Sequence, residues 1–311
     1  MRPPAVLAIH GGAGPAPVDD GGAGVGGARW VRQSAGLAEA LRAGLTVLAG
    51  GGAALDAVVA AVTLLEDDEE WNAGRGSALT AAGTVEMDAA VADGRGRRLG
   101  AVAAVTGVRH PVQAARAVMD DGRHVLLAGP GAEAFARDAG LAFELEEWFV
   151  TDRRRRDLAL RATSGAGAGG STVGAVARDA GGHLAAATST GGRTGQLPGR
   201  IGDSPVPGAG TWADDGTCAV SATGVGEPLL RVAFAHEVDA RVRLEGVDLD
   251  TACREALAAV SAAGGDGGCI AVAGVGPPVL PFTTALMHRG WAEVGGPLSV
   301  AAGPGPLERI E

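Results

Sequence analysis

The chain has 311 residues, 46% of them hydrophobic, enough to bury a substantial core and most simply one large domain over 1–311. A formal net charge of −10 argues against nucleic acid or an anionic membrane as partner. All 26 basic residues are arginine, which removes Schiff-base chemistry and a phosphate-loop lysine.

Residues 5–9 are a short apolar run, read as a buried strand that ends at Gly11. The run is too short for the core of a secretory leader, and the expectation is a cytoplasmic protein without a membrane span. Residues 15–27 read as loop. Within them Gly22-Ala23-Gly24-Val25-Gly26-Gly27 fits the GxGxxG pattern, but it comes after Pro-Val-Asp-Asp rather than a strand, so a dinucleotide site is not expected.

Apolar residues at helical spacing predict helices over 28–48 and 53–65. The acidic run Glu66 to Glu70 reads as a solvated loop, and Asn72, just before Gly74, as a turn asparagine. A hairpin over 77–79 and 84–87 is succeeded by a strand over 99–105, helices over 111–120 and 131–140, and a short strand over 124–127 between them. Arg153 to Arg156 stand beside a flexible linker at about 162–171 and are expected to be solvated rather than to bind nucleic acid.

The stretch from Ser171-Thr172-Val173-Gly174 to Thr188-Ser189-Thr190-Gly191-Gly192 is the most informative in the chain. The preceding string of glycine, alanine, serine and threonine cannot bury enough apolar surface to hold one conformation. The segment after Thr172 is apolar, β-branched and broken by Gly181-Gly182, as a buried hairpin requires. A threonine hydroxyl is a weak nucleophile, and freeing the amine of the same residue supplies its general base. Thr172 therefore reads as a concealed N-terminus released by cutting the 171–172 bond; an ordinary strand threonine is the alternative.

A Gly/Pro-rich loop over 191–210 leads to a strand over 217–222, helices over 225–243 and 249–262, and strands over 269–273 and 279–283. Cys218, Cys253 and Cys269, odd in number and without CxxC spacing, are expected as free buried thiols in a reducing compartment.

Several blocks together resemble the plant-type asparaginases, or isoaspartyl peptidases, which are N-terminal nucleophile hydrolases. They are Ile9-His10-Gly11-Gly12-Ala13-Gly14, Leu65 to Gly76, Val85 to Ala89, Ser171 to Gly192, Gly199 to Pro205 and Ser221 to Glu227. The resemblance spans almost the whole chain in the right order. It implies a four-layer αββα sandwich (α/β, α+β class), cut into subunits 1–171 and 172–311.

It also implies roles. Thr172 would be nucleophile and base, Thr190 would contact its hydroxyl, Thr223 and the Gly224 amide would form the oxyanion hole, and Asn72 would support the site. Arg200 would take the α-carboxylate of an aspartyl substrate and Asp203 its α-ammonium; a mutual salt bridge is the alternative for that pair. Gly226 would let substrate approach the backbone. Main-chain carbonyls of Leu65, Glu66, Asp68, Trp71, Ala73 and Arg75 would wrap a sodium ion, with no other cofactor required. Ser171 stands where many members carry glycine or aspartate, and its side chain is expected to slow cleavage.

The implied substrates are L-asparagine and β-aspartyl dipeptides, and the implied assembly is a dimer of cleaved αβ units, with no nucleic acid or membrane partner. Competing readings are a glycosylasparaginase, against which three cysteines and no leader speak, a cofactor-binding protein built on the glycine-rich N-terminal stretch, and an inactive homologue acting as a scaffold. The GxSxG and HExxH motifs of other hydrolases are absent.

Overall fold

The computed structural model describes residues 3–15, 27–164 and 171–310. Most of the GxGxxG match and most of the linker lie outside the described residues. In chain order the elements are β1 (Val6–Gly14), α1 (Ala28–Ala49), α2 (Ala54–Asp67), β2 (Met87–Asp93), β3 (Arg98–Val105), α3 (Pro111–Asp121), β4 (Leu126–Ala128), α4 (Gly129–Asp138), α5 (Glu146–Phe149) and α6 (Asp152–Ser164). Then come β5 (Val173–Arg178), β6 (Leu184–Thr190), β7 (Thr211–Ala213), β8 (Cys218–Gly224), α7 (Gly226–Val232), α8 (Phe234–Ala240), α9 (Leu249–Ala262), β9 (Gly267–Ala273), β10 (Leu286–Glu293), β11 (Leu298–Gly303) and β12 (Glu308–Ile310).

Nine strands form one sheet in the order β12-β11-β10-β1-β5-β6-β2-β3-β4, and β7-β8-β9 form a second. Side chains alternate across each strand, so the strands divide their residues between two cores. Leu7 and Ile9 of β1, with Ala175, Ala177, Ala185 and Ala187, pack beneath α1, α2 and α3. Val6, Ala8, Val176, Leu184 and Ala186 point the other way, against Ala219, Ile270 and Val272 of the small sheet. The remaining face of that sheet, Cys218, Val220, Cys269 and Ala271, is covered by α8 and α9 through Phe234, Val238, Ala256 and Val260. Helix, sheet, sheet, helix is the four-layer sandwich expected from the sequence.

The helices over 28–48 and 53–65 form within two residues of their expected ends. At the start of α2 the Asp179 carboxylate accepts from the Ala54 amide at 3.2 Å, a negative charge on the positive end of the helix. The three cysteines are buried and unpaired. Among the described residues no helix is long and apolar enough to cross a membrane.

Several expectations need correction. The first strand does not end at Gly11: it continues to Gly14 through a bulge between His10 and Gly12, pairing onward with β10. The hairpin at 77–87 is a single bridge, Leu79 to Val85, that leads into β2, a strand with no mark in the sequence pattern. The helix over 225–243 is broken after α7, because Ala233 takes the left-handed conformation at φ 52°, and α8 runs on into a π-helical turn, Arg241–Glu245. Residues 279–283 touch β9 only at two isolated bridges, since Pro281 cannot donate to a ladder. The arginine run is not simply solvated: it lies in α6, and Arg154 is buried, donating to the carbonyls of Gly76 and Trp71. Nor is Glu66 a loop residue; it belongs to the last turn of α2, fully buried.

Candidate active site

Thr172 enters the fold one residue before β5, buried between the two sheets. Its hydroxyl donates to Thr190 Oγ1 at 3.3 Å, and its main-chain nitrogen to Thr223 Oγ1 at 3.3 Å. Thr190 ends β6, the antiparallel neighbour of β5, and Thr223 lies near the end of β8 in the facing sheet. The pairing within one sheet and the stacking of two sheets thus bring three threonines from distant sequence positions together.

Thr223 Oγ1 also accepts the Ala13 amide at 3.1 Å. Two N–H donors occupy its lone pairs, which leaves its own proton to point at a developing negative charge. Gly224 comes next, at the end of β8.

The Ser171 carbonyl receives two donors: Asn72 Nδ2 at 2.6 Å and Thr190 Oγ1 at 3.4 Å. Asn72 is buried and held at every polar atom, its second amide proton going to the Gly192 carbonyl at 2.7 Å and its Oδ1 accepting from the Ala78 amide at 2.6 Å. It is no simple turn residue. Gly12 backs onto this bond: with φ at 107°, a Cβ there would stand 2.2 Å from Ser171 Cβ.

Arg200 and Asp203 are not a salt-bridged pair. Arg200 donates from Nε and Nη2 to Glu227 Oε1, each at 3.1 Å, and from Nη1 to Gln196 Oε1 at 3.4 Å. Asp203 is 4% exposed, and its Oδ2 has no hydrogen-bond partner among the described residues. Burial pushes its carboxyl up to about 7; Arg200 opposes that rise, while Asp88 and Glu227 add to it. Both groups converge on Gly226, where an added Cβ would lie 2.7 Å from Arg200 Nη2 and 2.9 Å from Asp203 Oδ1. One cation and one anion therefore face a single point of backbone, two residues beyond Gly224.

The asparaginase family model matches residues 3–300. The chain belongs to the asparaginase family. Members it resembles include the isoaspartyl peptidase of Salmonella typhimurium, 45% identical over 304 residues that cover 94% of this chain and 96% of that one. The isoaspartyl peptidase/L-asparaginase of Rattus norvegicus is 41% identical over 298 residues, 93% of this chain and 86% of that one. The plant-type L-asparaginase of Pyrobaculum calidifontis is 40% identical over 307 residues, 93% and 97% of the two chains.

Within this asparaginase, the loop expected to hold sodium is tightly curled. A Cβ at Gly74 would stand 2.3 Å from the Glu66 carbonyl oxygen, and one at Gly76 2.5 Å from that of Glu69 and 2.9 Å from that of Trp71. Two of the expected ligand carbonyls already have donors: that of Glu66 accepts from the Arg75 amide at 2.7 Å and that of Trp71 from the Arg154 guanidinium at 3.3 Å. Among the described residues no group of three His, Cys, Asp or Glu side chains could hold a metal.

Sequence reading gave no role to Glu227, Gln196 and Asp88, which hold the recognition loop. Asp88 accepts from the Gly202 amide at 3.0 Å and from the Ala104 amide at 2.8 Å. It also missed His10 and Ser221, although both stand inside blocks that carry the family resemblance. A lone histidine between an apolar strand and a glycine-rich segment was the available signal.

Proposed function

We propose that the chain is an autoproteolytic amidohydrolase that cleaves the side-chain amide of L-asparagine and the isopeptide bond of β-aspartyl dipeptides. The observation that carries this reading is the pair of donors on the Ser171 carbonyl beside the Thr172 hydroxyl. In maturation the Thr172 hydroxyl attacks that carbonyl while Asn72 and Thr190 stabilise the oxygen. The C–N bond breaks, the hydroxyl proton passes to the departing nitrogen, and water hydrolyses the resulting ester to give subunits 1–171 and 172–311.

The freed amine of Thr172, ordinarily titrating near ~8, then serves as the base for its own hydroxyl. The hydroxyl attacks the substrate's side-chain carbonyl, with Thr223 and the Gly224 amide stabilising the oxyanion. Ammonia or an amino acid leaves with the proton, and water releases aspartate. Arg200 takes the α-carboxylate and Asp203 the α-ammonium, in the space left by Gly226. Only the aspartyl part is recognised, so both substrates share one site.

The names of the relatives support this reading over a glycosylasparaginase. A sodium ion held by the carbonyls of Leu65, Glu66, Asp68, Trp71, Ala73 and Arg75 would fix the loop that carries Asn72. A dimer of cleaved units in the cytoplasm completes the reading on family resemblance.

Intact mass under denaturing conditions, before and after incubation, tests the mechanism. Two fragments split between Ser171 and Thr172, absent in Thr172→Ala, are expected, with hydrolysis of both substrates by the cleaved protein alone. Full activity from an uncut chain would overturn it.

A further inference from the structure

Behind Thr172 runs a chain of buried side chains that the mechanism above does not use. His10 Nδ1 lies 2.9 Å from the Thr172 carbonyl oxygen, and its Nε2 lies 2.9 Å from Ser221 Oγ. Ser221 Oγ lies 2.7 Å from Thr188 Oγ1, which lies 2.7 Å from Thr211 Oγ1. Thr211 Oγ1 in turn lies 3.0 Å from the carbonyl of Ser204, the neighbour of Asp203. All four side chains are fully buried.

The direction of the chain is set by its end. A carbonyl only accepts, so Nδ1 carries the proton; a neutral ring then accepts at Nε2 from the Ser221 hydroxyl. Burial keeps the ring neutral by lowering its pKa to about 3. Thr188 to Ser221 to His10 to Thr172 is thus a run of donors pointing one way, each strengthening the next, while the single hydroxyl proton of Thr211 is shared between Thr188 and the Ser204 carbonyl.

The backbone is cut to fit this chain. His10 and Gly174 are partners across β1 and β5. A Cβ on Gly174 would stand 2.0 Å from Ser221 Oγ and 2.5 Å from His10 Nε2. A glycine in mid-strand weakens the strand, and here it clears the space in which the imidazole meets the serine.

We infer that His10 is a positioning residue for the nucleophile: through Ser221, Thr188 and Thr211 it holds the Thr172 carbonyl, keeping the amine and hydroxyl of Thr172 in register once the chain before it is cut. The inference rests on the function proposed above. Before cleavage Thr172 is anchored from both sides. Afterwards its nitrogen is a chain end held, among the described residues, only by Thr223 Oγ1, and the carbonyl held by His10 is the backbone anchor beside it.

Three variants and one spectrum test this. His10→Asn keeps a donor near the Nδ1 position, His10→Leu removes it at similar size, and Ser221→Ala removes the support behind the ring. In cleaved protein, His10→Leu is expected to lower kcat for β-aspartyl-leucine about tenfold with KM nearly unchanged, His10→Asn to recover most of it, and Ser221→Ala to lose about threefold. Should His10→Leu fail to mature, the Asn and Ala variants carry the comparison. Equal kcat in His10→Leu and wild type, or no recovery in His10→Asn, would overturn the inference.

Nitrogen-15 spectra of the imidazole keep this separate from the activity. They should show Nδ1 protonated and Nε2 bare from about pH 5 to 8, well above the lowered pKa, even were the protein inactive on both substrates. An Nε2-protonated ring, or one that titrates near its ordinary ~6.5, would sink the relay on its own.

Discussion

Asn72 Nδ2 lies 2.6 Å from the Ser171 carbonyl oxygen, so a residue ninety-nine positions earlier holds the peptide bond that precedes Thr172. Asn72 is fixed from behind by Ala78 and Gly192 and has no freedom to turn away.

Replacing it should therefore slow maturation before anything else. Asn72→Ala removes one donor from the carbonyl oxygen, and such losses cost about 10²- to 10³-fold in rate. The appearance of the two fragments, tracked by intact mass, is expected to slow by that order. Asn72→Asp should be at least as slow, because an ionised carboxylate has no donor for the carbonyl. Cleavage at the wild-type rate in either variant would remove Asn72 from the reaction.

Gly226→Ala probes the recognition point. Its methyl would occupy the space between Arg200 Nη2 and Asp203 Oδ1, at 2.7 and 2.9 Å. Overpacking of this kind costs about 1–3 kcal/mol, so KM for L-asparagine should rise about tenfold. Maturation does not use this pocket and should proceed normally. Steady-state kinetics on fully cleaved protein separate the two.

The Asp203 carboxyl, raised to about 7 by burial, sets the acid limb of substrate capture. Only the carboxylate can pair with an ammonium, so as pH falls through about 7 the free enzyme takes up a proton and loses that partner. Below that point kcat/KM should fall by about a further tenfold per pH unit, on top of the loss from protonating the Thr172 amine. Asp203→Asn should abolish ammonium recognition across the whole range and leave only the limb set by the Thr172 amine, ordinarily titrating near ~8. A kcat/KM profile flat from about pH 8 to 5 in the wild type would contradict this assignment.

Arg154 predicts a stability effect instead. Its guanidinium donates to the carbonyls of Gly76 and Trp71 and pairs with Asp157, and burial holds its pKa down to about 9. Arg154→Ala would leave two carbonyls without this donor and should cost about 3 kcal/mol, seen as a lower Tm. Arg154→Lys, with one compact ammonium, should recover part of it. An unchanged Tm in the alanine variant would mean that water replaces the arginine at no cost.

Thr172 stood out locally, as a hydroxyl residue heading an apolar strand after a string of small residues, and Arg200 and Asp203 as a cation and an anion close together, whereas Thr190, Thr223 and Asn72 were named from the resemblance of their blocks to the asparaginases. The helices over 28–48 and 53–65 were equally legible, since an apolar stripe of period 3.6 is a local property of the chain. β2 was not, because Met-Asp-Ala-Ala-Val-Ala-Asp is buried on both faces and carries no alternation to read.

The partners of these residues are another matter. That Arg200 bonds Glu227 rather than Asp203, that Asp203 keeps an oxygen unpaired, and that His10 reaches Ser221 through the space beside Gly174 depend on contacts between residues far apart in the chain. By itself the sequence determined where the apolar helices and strands run, because helix and strand period are written residue by residue. Only the tertiary structure decided which group holds which, because β1 must pair with β5 before the imidazole of His10 can meet the backbone of Thr172, and the two sheets must stack before that backbone can meet the hydroxyl of Thr223, and that hydroxyl the amide of Ala13.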